Sequence, residues 1–269
     1  MIGARAQKQI PERLSHYTDL KSLKSILSDK EGKGICIWAF SNRHKNDDQE
    51  IRMGEYMLKR VRKALSTDSS MLHQFGGYEN SSSISFNEGE VNKHMLKYGH
   101  YRLEFDLRDI RVSLLNGIID CEYVAENDLK DYADEYCELI AGMYNSIPAL
   151  QKKYGKISDP PINNLIGFIQ MEIDIMRKVF CLKEQKWSEE REWRKVMQLN
   201  DKDKIRYYEG KPYVEYYLDK KYLTGITVFY SPGSIDQAKK DVDDIEKYIS
   251  ERGYNAKVRM EVFNGLEKS

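Results

Sequence analysis

The stretch LSHYTDLKSLKSIL (residues 14–27) contains the change from strand to helix pattern that decides the fold class. Its first part alternates apolar and polar residues and ends on a hydroxyl group, which is typical of a short strand. From Asp19 onward, four apolar residues recur at helical spacing, and the candidate caps are Thr18 and Asp19. The stretch therefore predicts a strand that leads directly into a helix, with His16 and Tyr17 just before the junction.

Strand and helix patterns alternate irregularly along the rest of the chain. β-Branched and aromatic runs predict strands in both halves, at ICIWAFS, SISF, YRLEFDL, REWRKVMQL, YVEYYL, GITVFYSP and KVRMEVF. Long helical patterns fill residues 126–185, and a closing helix is expected to stop at Gly253. We predict an α+β fold: one domain over residues 1–269, with a mixed or antiparallel split sheet and a helical insertion at about 126–185.

Composition excludes several classes of protein. The chain has 269 residues, of which 41% are hydrophobic, so a packed core is expected. It carries 43 basic and 43 acidic residues, which argues against a function based on neutralising many phosphates. Four cysteines without a CxxC pair indicate reduced thiols. Because no long apolar run occurs, we predict a soluble, cytoplasmic protein without a membrane partner.

The segment SEEREWRKVM is the first candidate for chemistry. If it is a strand, Glu190, Glu192 and Arg194 share one face. Two carboxylates on a half-buried face are unfavourable unless a cation such as Arg194 compensates for them. Such a pair can hydrogen-bond a sugar hydroxyl and stabilise positive charge at an anomeric carbon. The alternative is a structural ladder of Glu–Arg pairs on a solvated edge strand.

Other candidate sites are less specific. His16 can donate a hydrogen bond to a ligand hydroxyl, or it can be a structural residue before a helix. The segment NRHKNDDQE (residues 42–50) gathers possible metal ligands at His44, Asp47, Asp48 and Glu50, but its spacing matches no known metal-binding loop, which favours a solvated loop. The sequence contains no GxGxxG, GxxxxGKS or GxSxG motif.

In their order, these segments resemble a widespread bacterial family of unknown function. Its pattern begins with HYT, a short helix and a strand, and continues with an NDxxE loop, here residues 46–50. An SFS-like strand and an aromatic-x-x-E-x-E-W-R strand follow, here SISF (residues 83–86) and residues 187–194. The resemblance covers nearly the whole chain. The chain departs from the family pattern at two places. Met95 stands where the family has tryptophan, and SISFNEGE retains the family's acidic SFSE segment only in part.

The same pattern is similar, at greater distance, to the ADP-ribosyltransferases. That similarity implies that Glu192 is the catalytic residue, with Glu190 as the other member of the E-x-E pair. It implies NAD as the cofactor, and it places the following residues at the cofactor-binding site: His16, Tyr17, Thr18, Ser41, Tyr98 and Arg194. Tyr17 and Tyr98 are the candidates for stacking on nicotinamide. No metal is expected.

The resulting hypothesis is NAD-dependent transfer of ADP-ribose to a protein or nucleic-acid acceptor, or NAD glycohydrolysis, in a defence or toxin system. It requires His16 and Glu192 to lie in one ligand-sized cleft. One alternative is a non-catalytic binding or regulatory module of the same fold. A third hypothesis is a metal-dependent hydrolase or nuclease that uses the acidic loop at residues 42–50.

Overall fold

The computed structural model describes residues 9–44, 48–64, 81–89, 91, 93–108, 118–154, 175, 178–199 and 204–263; at 48–50, 93, 143–154 and 198 the backbone alone is described. The strands of these regions are β1 (Leu14–Thr18), β2 (Ile35–Phe40), β3 (Ser81–Glu88), β4 (Tyr101–Phe105), β5 (Ile118–Asp120), β6 (Glu122–Val124), β7 (Leu182–Glu184), β8 (Glu192–Gln198), β9 (Arg206–Tyr208), β10 (Lys211–Leu218), β11 (Leu223–Tyr230) and β12 (Lys257–Val262). The helices are α1 (Leu20–Ile26), α2 (Asp48–Ala64), α3 (Leu129–Tyr154) and α4 (Ile235–Ser250). Two short 3-10 helices, Lys93–Tyr98 and Gln185–Glu190, are relevant to the site described below.

The largest sheet has seven strands in the order β12-β11-β4-β1-β3-β8-β5. Only β11 and β12 are parallel, and the other neighbours run antiparallel. One sheet therefore contains strands from both halves of the chain as neighbours. Two smaller sheets accompany it, with the orders β2-β10-β9 and β6-β7. An isolated bridge between Ser41 and Ser82 joins the end of β2 to the start of β3.

Apolar residues cover both faces of the seven-stranded sheet. On the first face, Leu14, Phe86 and Trp193 pack with α1, α4 and the three-stranded sheet. On the second face, Ile119 and Val196 pack with α2 and α3. A smaller cluster around Tyr17, Met95 and Phe229 covers the second face near the Lys93–Tyr98 helix. Because side chains alternate along each strand, adjacent residues belong to different faces.

One row across the second face is entirely polar. Glu104 pairs with Ser15, Ser15 with Asn87, and Asn87 with Glu192, so four neighbouring strands contribute to the row. All four residues are buried. Buried polar side chains need partners, and the two carboxylates of the row each lie in an ionic cluster.

The predicted α+β class and mixed sheet are confirmed. The segment LSHYTDLKSLKSIL forms β1 and α1, and Asp19 is the cap, since its carboxylate accepts a hydrogen bond from the Ser22 backbone nitrogen at 2.7 Å. Gly253, with φ +70°, follows α4 where a stop was predicted. Much of the second helical pattern, NNLIGFIQMEIDIMRKVF at 163–180, lies outside the described residues. Within the described chain, no helix is both long and apolar enough to cross a membrane.

Candidate functional site

Four buried charged residues meet at the start of β8. Lys183 contacts the carboxylates of both Glu190 and Glu192, the latter at 2.6 Å. The Arg194 guanidinium donates to Glu192 through Nε at 2.7 Å and through a terminal nitrogen at 3.1 Å. We call Lys183, Glu190, Glu192 and Arg194 the β8 cluster. It holds two positive and two negative charges, so its formal charge is balanced.

The four members of the β8 cluster come from three different local structures. Lys183 lies on β7, which pairs in parallel with β6, and Glu192 and Arg194 share the second face of β8. The prediction that Glu190 lies on the same strand is wrong. Arg191 adopts a left-handed backbone conformation, with φ +43°, so the strand begins at Glu192 and Glu190 ends the preceding 3-10 helix. The Glu190 side chain reaches the cluster from that helix through Lys183.

Further hydrogen bonds fix the cluster in place. Arg194 also donates to the carbonyl of Phe180 at 2.8 Å, and the Asn87 side-chain amide donates to the carbonyl of Glu190 at 2.9 Å. Outside the buried part, Lys97 lies 3.8 Å from the Glu190 carboxylate and 4.5 Å from the centre of the Trp187 ring. Removing one partner from such a buried arrangement leaves an uncompensated charge, which is strongly destabilising. The β8 cluster is therefore in part a structural element.

The β8 cluster also forms part of a cleft wall. A cleft with a volume of about 560 Å³ opens beside Glu192 and is lined by Glu88, Asp120, Cys121, Glu122, Tyr123, Gln185, Ser188, Arg191, Glu192 and Trp193. Four of these residues carry carboxylates and one carries a guanidinium. An ionised carboxylate only accepts hydrogen bonds. The lining is thus rich in acceptors.

Neighbouring cations compensate part of the negative charge of this wall. Behind it, Lys178 contacts Glu122 at 2.5 Å, and Lys183 and Arg194 neutralise Glu192. Glu88 instead accepts a hydrogen bond of 3.1 Å from the indole nitrogen of Trp193, which is a neutral donor. Negative charge at Glu88 therefore faces the cleft without being cancelled by that contact.

Two other groups in the lining are not suited to acid–base or nucleophilic chemistry. Burial raises the pKa of the Cys121 thiol well above its ordinary value, and the adjacent Cys181 thiol adds to this effect. A thiol of this kind stays protonated and unreactive. Burial likewise raises the pKa of Tyr123, whose hydroxyl accepts a hydrogen bond of 2.8 Å from the Glu192 backbone nitrogen. Tyr123 therefore positions the start of β8.

His16 lies on the other face of the sheet. Ser15 belongs to the row that contains Glu192, so the next residue, His16, points to the first face. There its ring is 6.1 Å from that of Phe86, and Nδ1 is 3.0 Å from the carbonyl oxygen of Ser85. Burial lowers the pKa of His16. His16 and Glu192 do not meet in one cleft, because their side chains point to opposite faces of the sheet and His16 is absent from the lining.

The other predicted binding residues are dispersed. Tyr17 is buried on the second face, where it stacks on Phe229 at 6.2 Å. Thr18 ends β1 and is buried, and Gly99 approaches its carbonyl so closely that a side chain at that position would overlap it. Ser41 lies beyond β2 at the bridge to β3. None of these three residues lines the cleft beside Glu192.

Tyr98 is nearer to the β8 cluster. It is 51% exposed at the end of the Lys93–Tyr98 helix, and its ring lies 4.8 Å from the Lys97 ammonium that also approaches Glu190. Of the eight predicted site residues, the structure brings together Glu190, Glu192 and Arg194, with Tyr98 at the periphery.

The acidic loop falls largely outside the described residues, since Asp47 is not described and Asp48 and Glu50 are described by backbone alone. Across the described part of the chain, no three His, Cys, Asp or Glu side chains converge so that they could hold a metal ion.

Sequence reasoning missed Lys183, Asn87 and Asp120. Asn87 and Glu88 follow SISF directly, and their position at the end of a strand was the available signal. The sequence around Lys183 does not indicate its role, because that role depends on the pairing of β6 with β7 across about sixty residues. Asp120 precedes a cysteine in a short strand pattern, which is common in cores.

A scan against protein-family models found no matching family, and searches of curated proteins and of solved structures also found no match. The resemblance to the bacterial family and to the ADP-ribosyltransferases stays a prediction from the residues quoted above.

Proposed function

We propose that the chain is a binding module whose cleft takes a small ligand with hydroxyl groups and a positive charge. The observation that carries the proposal is the composition of the lining, which includes four acidic residues, Glu88, Asp120, Glu122 and Glu192, and one arginine, Arg191. Ligand sites use a few placed polar groups to select a ligand. Hydroxyl and ammonium or pyridinium groups complement an acceptor-rich wall, whereas a phosphate is repelled by it.

The paired state of Glu192 supports binding over catalysis. Both of its oxygens already contact cations, at 2.6 and 2.7 Å. A carboxylate held in this way still accepts a hydrogen bond from a ligand hydroxyl, because two oxygens offer about four lone-pair directions. Its strong neutralisation weakens the electrostatic stabilisation that it can give to a developing cation.

A second candidate function, ADP-ribosyl transfer or NAD glycohydrolysis, is favoured by one observation: Glu192, the catalytic residue implied by the resemblance, lines the cleft. In that reaction the bond between nicotinamide and the ribose breaks, and nicotinamide leaves with the electron pair. The acceptor or water then bonds to the anomeric carbon and loses a proton. This candidate does not involve His16, which is absent from the cleft lining.

Thermal shift measurements with a set of related compounds test the proposal. Nicotinamide riboside carries hydroxyls and a positive charge, ribose carries hydroxyls alone, spermidine carries charge alone, and ADP-ribose carries phosphates. We expect the largest stabilisation from nicotinamide riboside and the smallest from ADP-ribose. Glu88→Gln should reduce the shift, and Glu189→Gln, a change at a side chain that is 74% exposed, is the matched control.

Equal shifts from ADP-ribose and nicotinamide riboside would contradict the proposed ligand class. The second candidate is tested by nicotinamide release from NAD⁺. Release by the wild type that falls roughly a hundredfold or more in Glu192→Gln supports catalysis. Release that is absent, or that is unchanged in Glu192→Gln, overturns it and leaves the binding proposal intact.

A further inference from the structure

The outer face of the three-stranded sheet carries a cluster of aromatic rings. Trp38 stacks on Tyr213 with ring centres 4.5 Å apart and planes 26° apart. The Trp38 ring also lies 5.5 Å from Tyr208 and 6.3 Å from Phe40. We call Trp38, Phe40, Tyr208 and Tyr213 the aromatic face. These rings come from all three strands β2, β10 and β9.

Strand register shows why these rings share one side. Phe40 pairs with Tyr213, Tyr213 with Arg206, and Lys211 with Tyr208. The intervening residues, such as Ile37 and Val214, point inward to the main core. The aromatic face is thus the side of this sheet that points away from the main core.

The aromatic face is separate from the hydrophobic clusters of the described regions. None of its four rings belongs to a hydrophobic cluster formed by described residues. Tyr208 is 39% exposed, Trp38 and Phe40 are half-buried, and Tyr213 is buried against Trp38. Aromatic rings on a sheet surface cost solvation free energy unless a partner covers them, so a set of this size indicates an interaction surface.

Cations surround these rings. Arg206 and Lys211 are exposed and stand in register with Tyr213 and Tyr208. Lys33 lies 5.3 Å from the centre of the Tyr217 ring, farther along the same face. Glu215, on the same face, accepts a hydrogen bond from the Tyr217 hydroxyl at 2.8 Å, and Lys33 forms an ion pair with Glu31. Rings flanked by positive charge complement a ligand that has flat bases and a negative backbone.

We propose that the aromatic face binds single-stranded nucleic acid. Bases would stack on Trp38 and Tyr208, and phosphates would lie against Arg206 and Lys211. Single-stranded nucleic acids are commonly held by such a combination of stacking and a positive groove, with little base preference. This inference is independent of the cleft beside Glu192, which lies at a different sheet.

Binding in this way would involve few phosphates, so the affinity should depend only weakly on salt concentration. Two neutralised phosphates predict a slope of about −1.4 for the logarithm of the association constant against the logarithm of salt concentration, at about 0.7 per phosphate on single strands. This low value agrees with the zero net charge of the chain. Most of the affinity must then come from stacking.

Fluorescence anisotropy with a short labelled oligothymidylate at low salt tests the proposal. We expect saturable binding by the wild type and a loss of roughly fivefold to 150-fold in Tyr208→Ala, the range for losing one stacked base. The matched control is Tyr207→Ala, in the same strand. Tyr207 is 70% exposed and pairs with Pro212, so it points to the opposite side of β9.

A second pair of variants keeps the test valid if Tyr208→Ala fails to fold. Lys211→Glu should weaken binding and flatten the salt slope, whereas Lys221→Glu, outside the face, should leave both unchanged. Absence of binding by the wild type, equal losses in Tyr207→Ala and Tyr208→Ala, or equal affinity for duplex of the same length would each overturn the proposal. So would a dimer that Tyr208→Ala dissociates, because the face would then bind a second copy of the chain.

Discussion

The second face of the large sheet holds two ionic clusters of mirrored sequence, RLE in β4 and EWR in β8. In the first, which we call the β4 cluster, Glu104 contacts Arg102 at 2.6 Å, Thr227 at 3.1 Å and Arg259. In the β8 cluster, Glu192 contacts Arg194 and Lys183. Both carboxylates belong to the same polar row, with Ser15 and Asn87 between them. Their chemistry is therefore nearly the same.

Their surroundings differ. A side chain on Gly225 would lie 3.0 Å from a Glu104 carboxylate oxygen, and Arg102 stands over the Phe229 ring at 5.6 Å, so the β4 cluster is closed by packing. Glu192 instead borders the cleft. The comparison shows that a buried Arg–Glu pair on a strand does not by itself indicate a site. Both carboxylates are almost fully buried, and the difference between them is that Glu192 borders an open volume.

The largest expected effect tests the structural role of the β8 cluster. Lys183→Met removes the cation that both Glu190 and Glu192 contact, and it should destabilise the fold by about 3–5 kcal/mol. Urea unfolding followed by circular dichroism measures this. Lys239→Met, at an ion pair whose lysine is 59% exposed, should change stability by about 0.5 kcal/mol or less. Similar losses in the two variants would contradict the assignment of Lys183.

The next variant separates the two clusters. Glu104→Gln leaves Arg102 buried without its anion and should cost about 2–3 kcal/mol, below the full range for a buried pair because Arg259 is 47% exposed. The same urea experiment gives this value. Ligand binding at the cleft should stay at the wild-type level, since Glu104 is absent from the lining. Weaker binding in this variant would show that the two clusters are coupled.

A smaller effect concerns pH and the first face. Burial holds the pKa of His16 below its unfolded value of about 6.5, so the unfolded chain binds the proton more readily. The contribution of the neutral ring to the free energy of unfolding is therefore complete above about pH 6.5. It is lost as the pH drops towards the pKa of His16 in the folded state. In urea midpoints measured between pH 5 and 7.5, His16→Gln should show a flatter dependence than the wild type. Parallel curves would place His16 in a solvated environment.

The smallest effect is expected at an exposed pair near the β8 cluster. His94 and Glu189 lie 3.2 Å apart, with 42% and 74% of their side chains exposed. Glu189→Gln should change the free energy of unfolding by about 0.5 kcal/mol or less, because solvent screens such pairs. A loss above about 1 kcal/mol, measured in the same unfolding series, would mean that the two 3-10 helices depend on this contact.

Local patterns predicted most of the secondary structure and part of the site. The strand and helix in LSHYTDLKSLKSIL follow from short-range periodicity, and the two-residue spacing of Glu192 and Arg194 gave their common face. Glu190 was misplaced because a left-handed residue, Arg191, interrupts the strand pattern without a glycine to mark it. Left-handed backbone conformations are uncommon at residues other than glycine.

The relation between His16 and Glu192 could not be predicted in the same way. It depends on the registers of β1 with β3 and of β3 with β8, and a shift of one residue would exchange the faces. Register is fixed by which side chains the two cores accept, and this information lies in distant segments such as α2 and α4. For the same reason, the role of Lys183 in the β8 cluster could not be predicted from the sequence.

Equilibrium dialysis with nicotinamide riboside tests the central claim most directly, namely that Glu192 faces a ligand and Glu104 does not. The account predicts saturable binding by the wild type and by Glu104→Gln, and a loss of about tenfold or more in Glu192→Gln, the value for a hydrogen bond to a charged group. All three proteins are compared at a temperature where circular dichroism shows them folded. Absence of saturable binding by the wild type, or equal affinity in Glu192→Gln, would contradict it.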